Sequence, residues 1–309
     1  MPRRAMLLMG PTASGKTDVA ISLCKRFPLD IVSVDSAMVY RGMDIGTAKP
    51  DAATLARTPH RLVDIREPED SYSAGDFVRD ARHEMDEIWS AGRVPLLAGG
   101  TMMYFRALTE GIAALPAADA DIRARIDAEA EREGWPALHE RLRHIDPVVA
   151  ARIKPSDRQR IQRALEVWMA SGRRLSDWQA AARDAGDDIE YTRIALMVPE
   201  RRVLHERIER RLDLMLEQGF TEEVRRLMAR PGLDREAPAM RAVGYRQIWA
   251  HLAGECTLEE GRYRALVATR QLAKRQLTWL RSETSLNSFN PLEPGTIDAI
   301  SSFSCDTIF

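Results

Sequence analysis

Residues Gly10, Pro11, Thr12, Ala13, Ser14, Gly15, Lys16 and Thr17 follow the pattern Gly-x-x-x-x-Gly-Lys-Thr, placed between an apolar run and an amphipathic one. The chemistry this supports is the grip of a polyphosphate. Glycines let backbone N–H groups turn inward around phosphate oxygens, and the following helix presents its positive end to them. Lys16 supplies a point charge, and the Thr17 hydroxyl is a hard oxygen ligand suited to Mg²⁺. The pattern does not say which phosphate compound is held.

Two further positions bear on that question. Asp35 closes the apolar run Ile31–Val34, where a carboxylate faces bound phosphate across the end of a parallel sheet. A second run, Val94–Ala98, ends in Gly99-Gly100-Thr101, where many phosphate-loop hydrolases carry an aspartate that holds Mg²⁺. Its replacement by a neutral hydroxyl lowers the case for a motor or switch enzyme. Thr101 instead offers that hydroxyl to a phosphate oxygen.

These residues need strands and helices to hold them. Residues 5–9 read as a buried strand and Lys16–Phe27 as a helix; Ile31–Val34, His60–Ile65 and Val94–Ala98 read as further strands. Ser73 with Asp76 at the third helical position predicts a capped helix that stops before Gly92. Short apolar strands alternating with helices imply an α/β fold with a parallel sheet covered on both sides. From Leu115-Pro116 the chain turns charge-rich and helical, and residues 193–198 read as one more strand. The expected division is therefore 1–115 and 193–309 for the core, with an all-helical insertion at 116–192. Helices are expected over 200–218, 221–230, about 239–252 and about 257–282, and Leu286–Phe289 reads as an edge strand. The tail beyond it carries little signal.

The 309 residues favour two domains or one domain with an insertion. With 45 basic against 46 acidic residues, a nucleic-acid partner would have to be met by arginines gathered on one face. Cys24, Cys256 and Cys305 are far apart and unpaired, which argues against a disulfide framework or a zinc site. The apolar run after Met1-Pro2-Arg3-Arg4 is too short for a signal segment, and no stretch has the roughly 20 apolar residues of a membrane span. A soluble cytoplasmic protein, most simply a monomer, is expected.

Eight blocks, in order along the chain, resemble the bacterial tRNA dimethylallyltransferase family: GPTASGKT (10–17), DSAMVYRGMDIGTAKP (35–50), PHRLVDI (59–65), YSAGDF (72–77), PLLAGGTMMYFRAL (95–108), RIQRALEVW (160–168), MRAVGYRQIW (240–249) and ATRQLAKRQLTWLR (268–281). The resemblance implies a P-loop NTPase-like fold used without ATP hydrolysis. The loop would hold the pyrophosphate of dimethylallyl diphosphate, with Mg²⁺, while the N6 amine of adenosine 37 in the anticodon loop attacks the allylic carbon. It implies that Asp35 is the base, that Thr101 assists, and that Arg211 lies near the pyrophosphate. It also implies tRNA contacts from Asp35, Ser36, Ala37 and Met38; from Gln159, Arg160, Ile161, Gln162 and Arg163; from Met240, Arg241, Ala242, Val243, Gly244 and Tyr245; and from Thr101 and Arg123.

Basic clusters fit that partner. Arg152, Lys154, Arg158, Arg160 and Arg163 gather in the insertion, and Arg270, Lys274 and Arg281 are spaced to share a helical face. Among the aromatics, Tyr245 is the one expected to serve RNA. Many family members carry Met-Gln after the Asp-Ser pair where this chain has Ala37-Met38, so a glutamine contact there is replaced. A small-molecule kinase, an enzyme that prenylates free adenine nucleotides, and a non-catalytic RNA binder share some of these features.

Overall fold

The computed structural model describes residues 3–111, 113, 115–184 and 188–308. The chain divides into two compact units, one made of Met1–Arg106 with Asp188–Phe309, the other of Ala107–Asp187.

The first unit is built on six parallel strands: β1 (Arg3–Met9), β2 (Leu29–Val34), β3 (His60–Arg61), β4 (Val94–Gly99), β5 (Ile189–Leu196) and β6 (Asn287–Phe289), in the order β3-β2-β4-β1-β5-β6. Its leading helices are α1 (Lys16–Cys24), α2 (Ala52–Arg57) and α3 (Ala74–Ser90), and α4 (Met102–Thr109) runs out of it. In the second unit are α5 (Ala120–Glu133), α6 (Trp135–Ile145), α7 (Pro147–Ala150), α8 (Arg158–Ser171) and α9 (Leu175–Asp184). The chain then returns to the first unit with α10 (Arg201–Glu217), α11 (Phe220–Met228), α12 (Tyr245–Leu252), α13 (Leu258–Ser282) and α14 (Thr296–Ile308).

The central strands are apolar without alternation because both faces are covered, and Ala5 to Met9 are all buried. On one face, Met6, Leu8, Ile31 and Leu96 pack with Val19 and Leu23 of α1 and with Ile300 and Ile308 of α14. On the other, α3 buries Phe77, Ala81, Met85 and Ile88. The expected cap on α3 is present in both directions: the Ser73 hydroxyl accepts from Asp76 N, and the Asp76 carboxylate accepts from Ser73 N.

Three expectations shift. The strand expected over His60–Ile65 stops at Arg61, because Leu62 and Asp64 adopt left-handed backbone (φ 63° and 56°) that no strand continues through. Strand β5 begins at Ile189 rather than 193, pairing with Arg3 at the start of β1. The helix expected over 239–252 is a 3-10 turn at Ala239–Arg241 followed by α12, parted by Gly244 at φ 95°. Helix α14 was not expected at all.

Ala107–Asp187 has its own core, in which Ile126, Leu138, Leu142, Ile161 and Leu165 pack together. Buried Asp146 ties it: Oδ1 accepts from Val149 N and Oδ2 from Ser176 N. No helix among the described residues is long and apolar enough to cross a membrane.

Candidate active site

Three loops meet at the carboxyl ends of the adjacent strands β1, β4 and β2, and the register aligns their departure points. Met9 and Val34 both pair with Gly99. The loops are close enough that a Cβ on Gly99 would lie 2.0 Å from the Val34 carbonyl oxygen, so only glycine fits there.

The first loop is the Gly10–Thr17 cradle. Ala13 (φ 62°) and Gly15 (φ 89°) are left-handed, which turns successive N–H groups toward one side. Lys16 Nζ donates to the carbonyls of Gly10 (3.0 Å) and Pro11 (2.7 Å). Its pKa falls to about 7, through burial first and the neighbouring Arg211 charge second, with Asp35 opposing. The Thr17 hydroxyl makes no hydrogen bond among the described residues, so a single neutral hard oxygen is available beside the phosphate site. That fits Mg²⁺, which binds few protein ligands alongside phosphate oxygens.

The second loop carries Asp35. Its Oδ1 accepts from Ala37 N (2.8 Å) and Met38 N (3.2 Å), fixing the turn and orienting the carboxylate. Its charge acts on both Lys16 and Arg211. Thr101, in the third loop, accepts at Oγ1 from Ser36 N (3.1 Å) and thereby docks the Asp35 turn against the end of β4.

Helix α10 lies over the cradle, and its residues Leu204, Ile208 and Leu212 pack with Ala13 and with Ala265, Leu266 and Ala273 of α13. That packing brings two arginines in. Arg211 donates to the Thr47 carbonyl (3.3 Å), and burial lowers its pKa. Arg207, one turn earlier, donates to the Ala13 carbonyl (2.8 Å). The sequence reading missed Arg207; its spacing from Arg211 places both on one helix face and was the available signal.

Other expected contact residues fall differently. Met240, Tyr245 and Ile161 are fully buried, so their side chains offer no surface to RNA. Tyr245, expected to serve RNA, packs edge-on against Phe220 (4.9 Å between centroids) and donates its hydroxyl to Glu223 (2.6 Å). Glu223 is itself buried and accepts from Asp44 N, Ile45 N and Gly46 N. The block around Tyr245 thus holds the loop whose Thr47 carbonyl receives Arg211. Gly244 is buried with it, Ala242 and Val243 are half-buried, and Arg241 is exposed.

In the second unit, Arg123 and Arg163, expected as tRNA contacts, both pair with buried Glu166. Arg123 reaches its two oxygens at 2.8 and 3.2 Å, and Arg163 reaches it at 2.7 Å. Burial pushes the Glu166 pKa up, but these bonds and the one from Asp119 N outweigh it and hold it below the usual range. Arg160 pairs with Asp157 (3.0 Å), and Gln162 donates to Asp127 (2.7 Å). Gln159 is exposed, as are Arg152, Lys154 and Arg158, three cations with no ion pair among the described residues. On α13, Arg270 is drawn to Glu209 (2.9 Å), while Lys274 lines a groove with Arg275 and Trp279.

A parallel sheet flanked by helices, with a central strand that opens into the Gly10–Thr17 loop, defines a P-loop NTPase-like α/β protein. Residues 38–283 match the family model described as IPP transferase. The chain belongs to that family of prenyltransferases. It is 35% identical to the tRNA isopentenylpyrophosphate transferase of Bacillus halodurans, covering 99% of this chain and 96% of that one with a TM-score of 0.73. It is 31% identical to the tRNA delta(2)-isopentenylpyrophosphate transferase of Staphylococcus epidermidis, covering 98% and 99% with a TM-score of 0.71. A eukaryotic dimethylallyltransferase acting on tRNA shares the fold, with a TM-score of 0.78 at 22% identity over 98% of this chain and 78% of that one.

Proposed function

We propose that this enzyme transfers a dimethylallyl group from dimethylallyl diphosphate to the N6 amine of adenosine 37 in tRNAs that read codons beginning with U. The products are N6-isopentenyladenosine and pyrophosphate. The observation that carries the reading is the meeting, in one site, of an anion cradle with Lys16, Arg207 and Arg211 and of a carboxylate, Asp35, whose charge acts on two of those cations.

The allylic carbon gains positive character as its C–O bond to the diphosphate lengthens, so the main lever is stabilisation of the leaving group. Backbone N–H groups of the cradle, Lys16 and the two arginines supply it. Thr17 would hold Mg²⁺, which when bound neutralises charge on the diphosphate oxygens. As the new C–N bond forms, the amine must lose a proton, and Asp35 is the group proposed to accept it. The Thr101 hydroxyl accepts from Ser36 N and donates to the Ser36 hydroxyl (3.4 Å), a long bond that a phosphate oxygen could replace as its acceptor.

An unpaired loop base is among the cheaper ones to extrude from its stack into such a site. The insertion carries Arg152, Lys154 and Arg158 as exposed cations with no ion pair among the described residues, suited to the phosphates of an anticodon stem-loop. One chain carries the whole cradle, so a monomer, working in the cytoplasm where a tRNA-modifying enzyme meets its tRNA, is the form proposed. Incubation with dimethylallyl diphosphate, Mg²⁺ and unmodified tRNA, followed by nucleoside mass analysis, tests the reading. One prenylated adenosine per tRNA is expected. Transfer to AMP alone, or turnover of an ATP γ-phosphate instead, would overturn it.

A further inference from the structure

Gln276 joins the phosphate cradle to the Thr101 loop through a single buried amide. Its Oε1 accepts from Thr12 N at 2.9 Å, and its Nε2 donates to the Gly100 carbonyl at 2.8 Å. The side chain is 7% exposed, so neither bond faces strong competition from water. A Cβ on Gly100 would lie 2.6 Å from Nε2, and the absence of a side chain there is what lets the amide approach. Gln276 sits on α13, which is fixed against α10 and the cradle by Ala273, Ala265 and Ala13.

Thr101 continues the connection by accepting from Ser36 N, next to Asp35. Three loops from three adjacent strands are therefore linked in series: cradle, Gln276, Gly100-Thr101, Ser36, Asp35. Hydrogen bonds between the strands hold the loops only at their bases. Beyond Met9, Gly99 and Val34 one backbone bond, Thr101 N to the Val34 carbonyl (3.2 Å), still ties the third loop to the end of β2, and the side-chain bonds of Gln276 and Thr101 supply the further links between the loops.

We propose that Gln276 is a positioning residue that sets the distance between the departing diphosphate and the Asp35–Thr101 pair. Its amide bonds go to the protein's own backbone. By engaging Thr12 N it also withdraws that amide from the donors available to phosphate, so the grip is left to the remainder of the loop. This rests on the transferase reading above. It predicts a split that a merely structural residue would not give: loose registry between two loops slows the chemical step while each loop still binds its own ligand.

The test is Gln276→Leu, similar in size but without either bond, made alone and with Thr101→Ala. Wild-type conversion of dimethylallyl diphosphate and tRNA is measured alongside, with pyrophosphate binding followed by calorimetry. Misregistry is expected to lower kcat on the order of 10- to 100-fold. KM for dimethylallyl diphosphate and Kd for pyrophosphate should stay within about threefold. Because Gln276 acts through the Thr101 loop, the double variant should be little slower than the slower single one. Should the leucine variant fail to fold, Gln276→Glu, which keeps the acceptor for Thr12 and loses the donor to Gly100, is read against the same expectations. An unchanged kcat with only a lower melting temperature, or losses that multiply in the double variant, would overturn the positioning role and leave the transferase reading intact. A wild-type protein that binds pyrophosphate but forms no prenylated tRNA would sink both.

Discussion

The Tyr245 hydroxyl donates to the Glu223 carboxylate at 2.6 Å, and both groups are buried. Glu223 gathers this bond and three backbone N–H groups of residues 44–46, fastening the loop that receives Arg211. Tyr245→Phe leaves the three backbone bonds in place and should cost about 1–2 kcal/mol of stability. Glu223→Ala removes the acceptor shared by three part-buried backbone N–H groups and the buried tyrosine hydroxyl, and should cost on the order of 3 kcal/mol. Denaturant titrations measure both. Loss of RNA affinity without loss of stability in Tyr245→Phe would restore the tyrosine to the RNA surface.

Lys16 gives diphosphate binding a pH dependence of defined sign. Its free-state pKa is lowered to about 7 by burial and by Arg211, so the amine is largely neutral at alkaline pH. An anion in the cradle favours the ammonium and raises that pKa. Binding at about pH 8.5 should therefore take up close to one proton, and affinity should fall as pH rises above 7. Calorimetry in buffers of differing ionisation enthalpy reads the uptake, and Lys16→Met should abolish it.

Asp35 has two roles that substitution separates. Asp35→Asn keeps a side-chain oxygen to accept from Ala37 N and Met38 N, so the turn should survive. It cannot take the amine proton, and kcat should drop by roughly 10²- to 10⁴-fold with tRNA binding nearly unchanged. Single-turnover rates and filter binding distinguish this from a shared loss of both, which would argue against the base assignment.

Exposed and paired cations of the insertion should respond differently to removal. Changing Arg152, Lys154 and Arg158 together to alanine should reduce the slope of log affinity for tRNA against log salt by about 2–3, with the melting temperature held. Glu166→Gln should instead destabilise the insertion, because it removes the countercharge of Arg123 and Arg163. Arg163→Ala should act chiefly on stability for the same reason.

Sequence pattern carried the site where function depends on local backbone. The cradle, the strands that feed it and the Ser73–Asp76 cap are each set by residues within a few positions of one another. The four-residue spacing of Arg207 and Arg211 was equally readable but ambiguous, since either arginine alone resembles a solvated helix charge. What local pattern could not carry were bonds across long separations. Gln276 with Thr12, and Glu223 with residues 44–46, are polar side chains whose burial is decided by tertiary packing. Helix α14 shows the same limit from the apolar side: its serine-rich turns have modest helix propensity, and it is held by Ile300 and Ile308 against α1 and the sheet. The end of β3 at Arg61 lay in backbone twists at Leu62 and Asp64 that neither residue type announces.

Ala107–Asp187 closes its own hydrophobic centre from its own residues, and every named chemical group of the cradle lies in the other unit. A lineage can therefore rework the charge and contour of the inserted segment while the residues of the cradle stay under separate selection. Under the proposed function, exchange of this segment between relatives is the natural engineering route to altered tRNA choice.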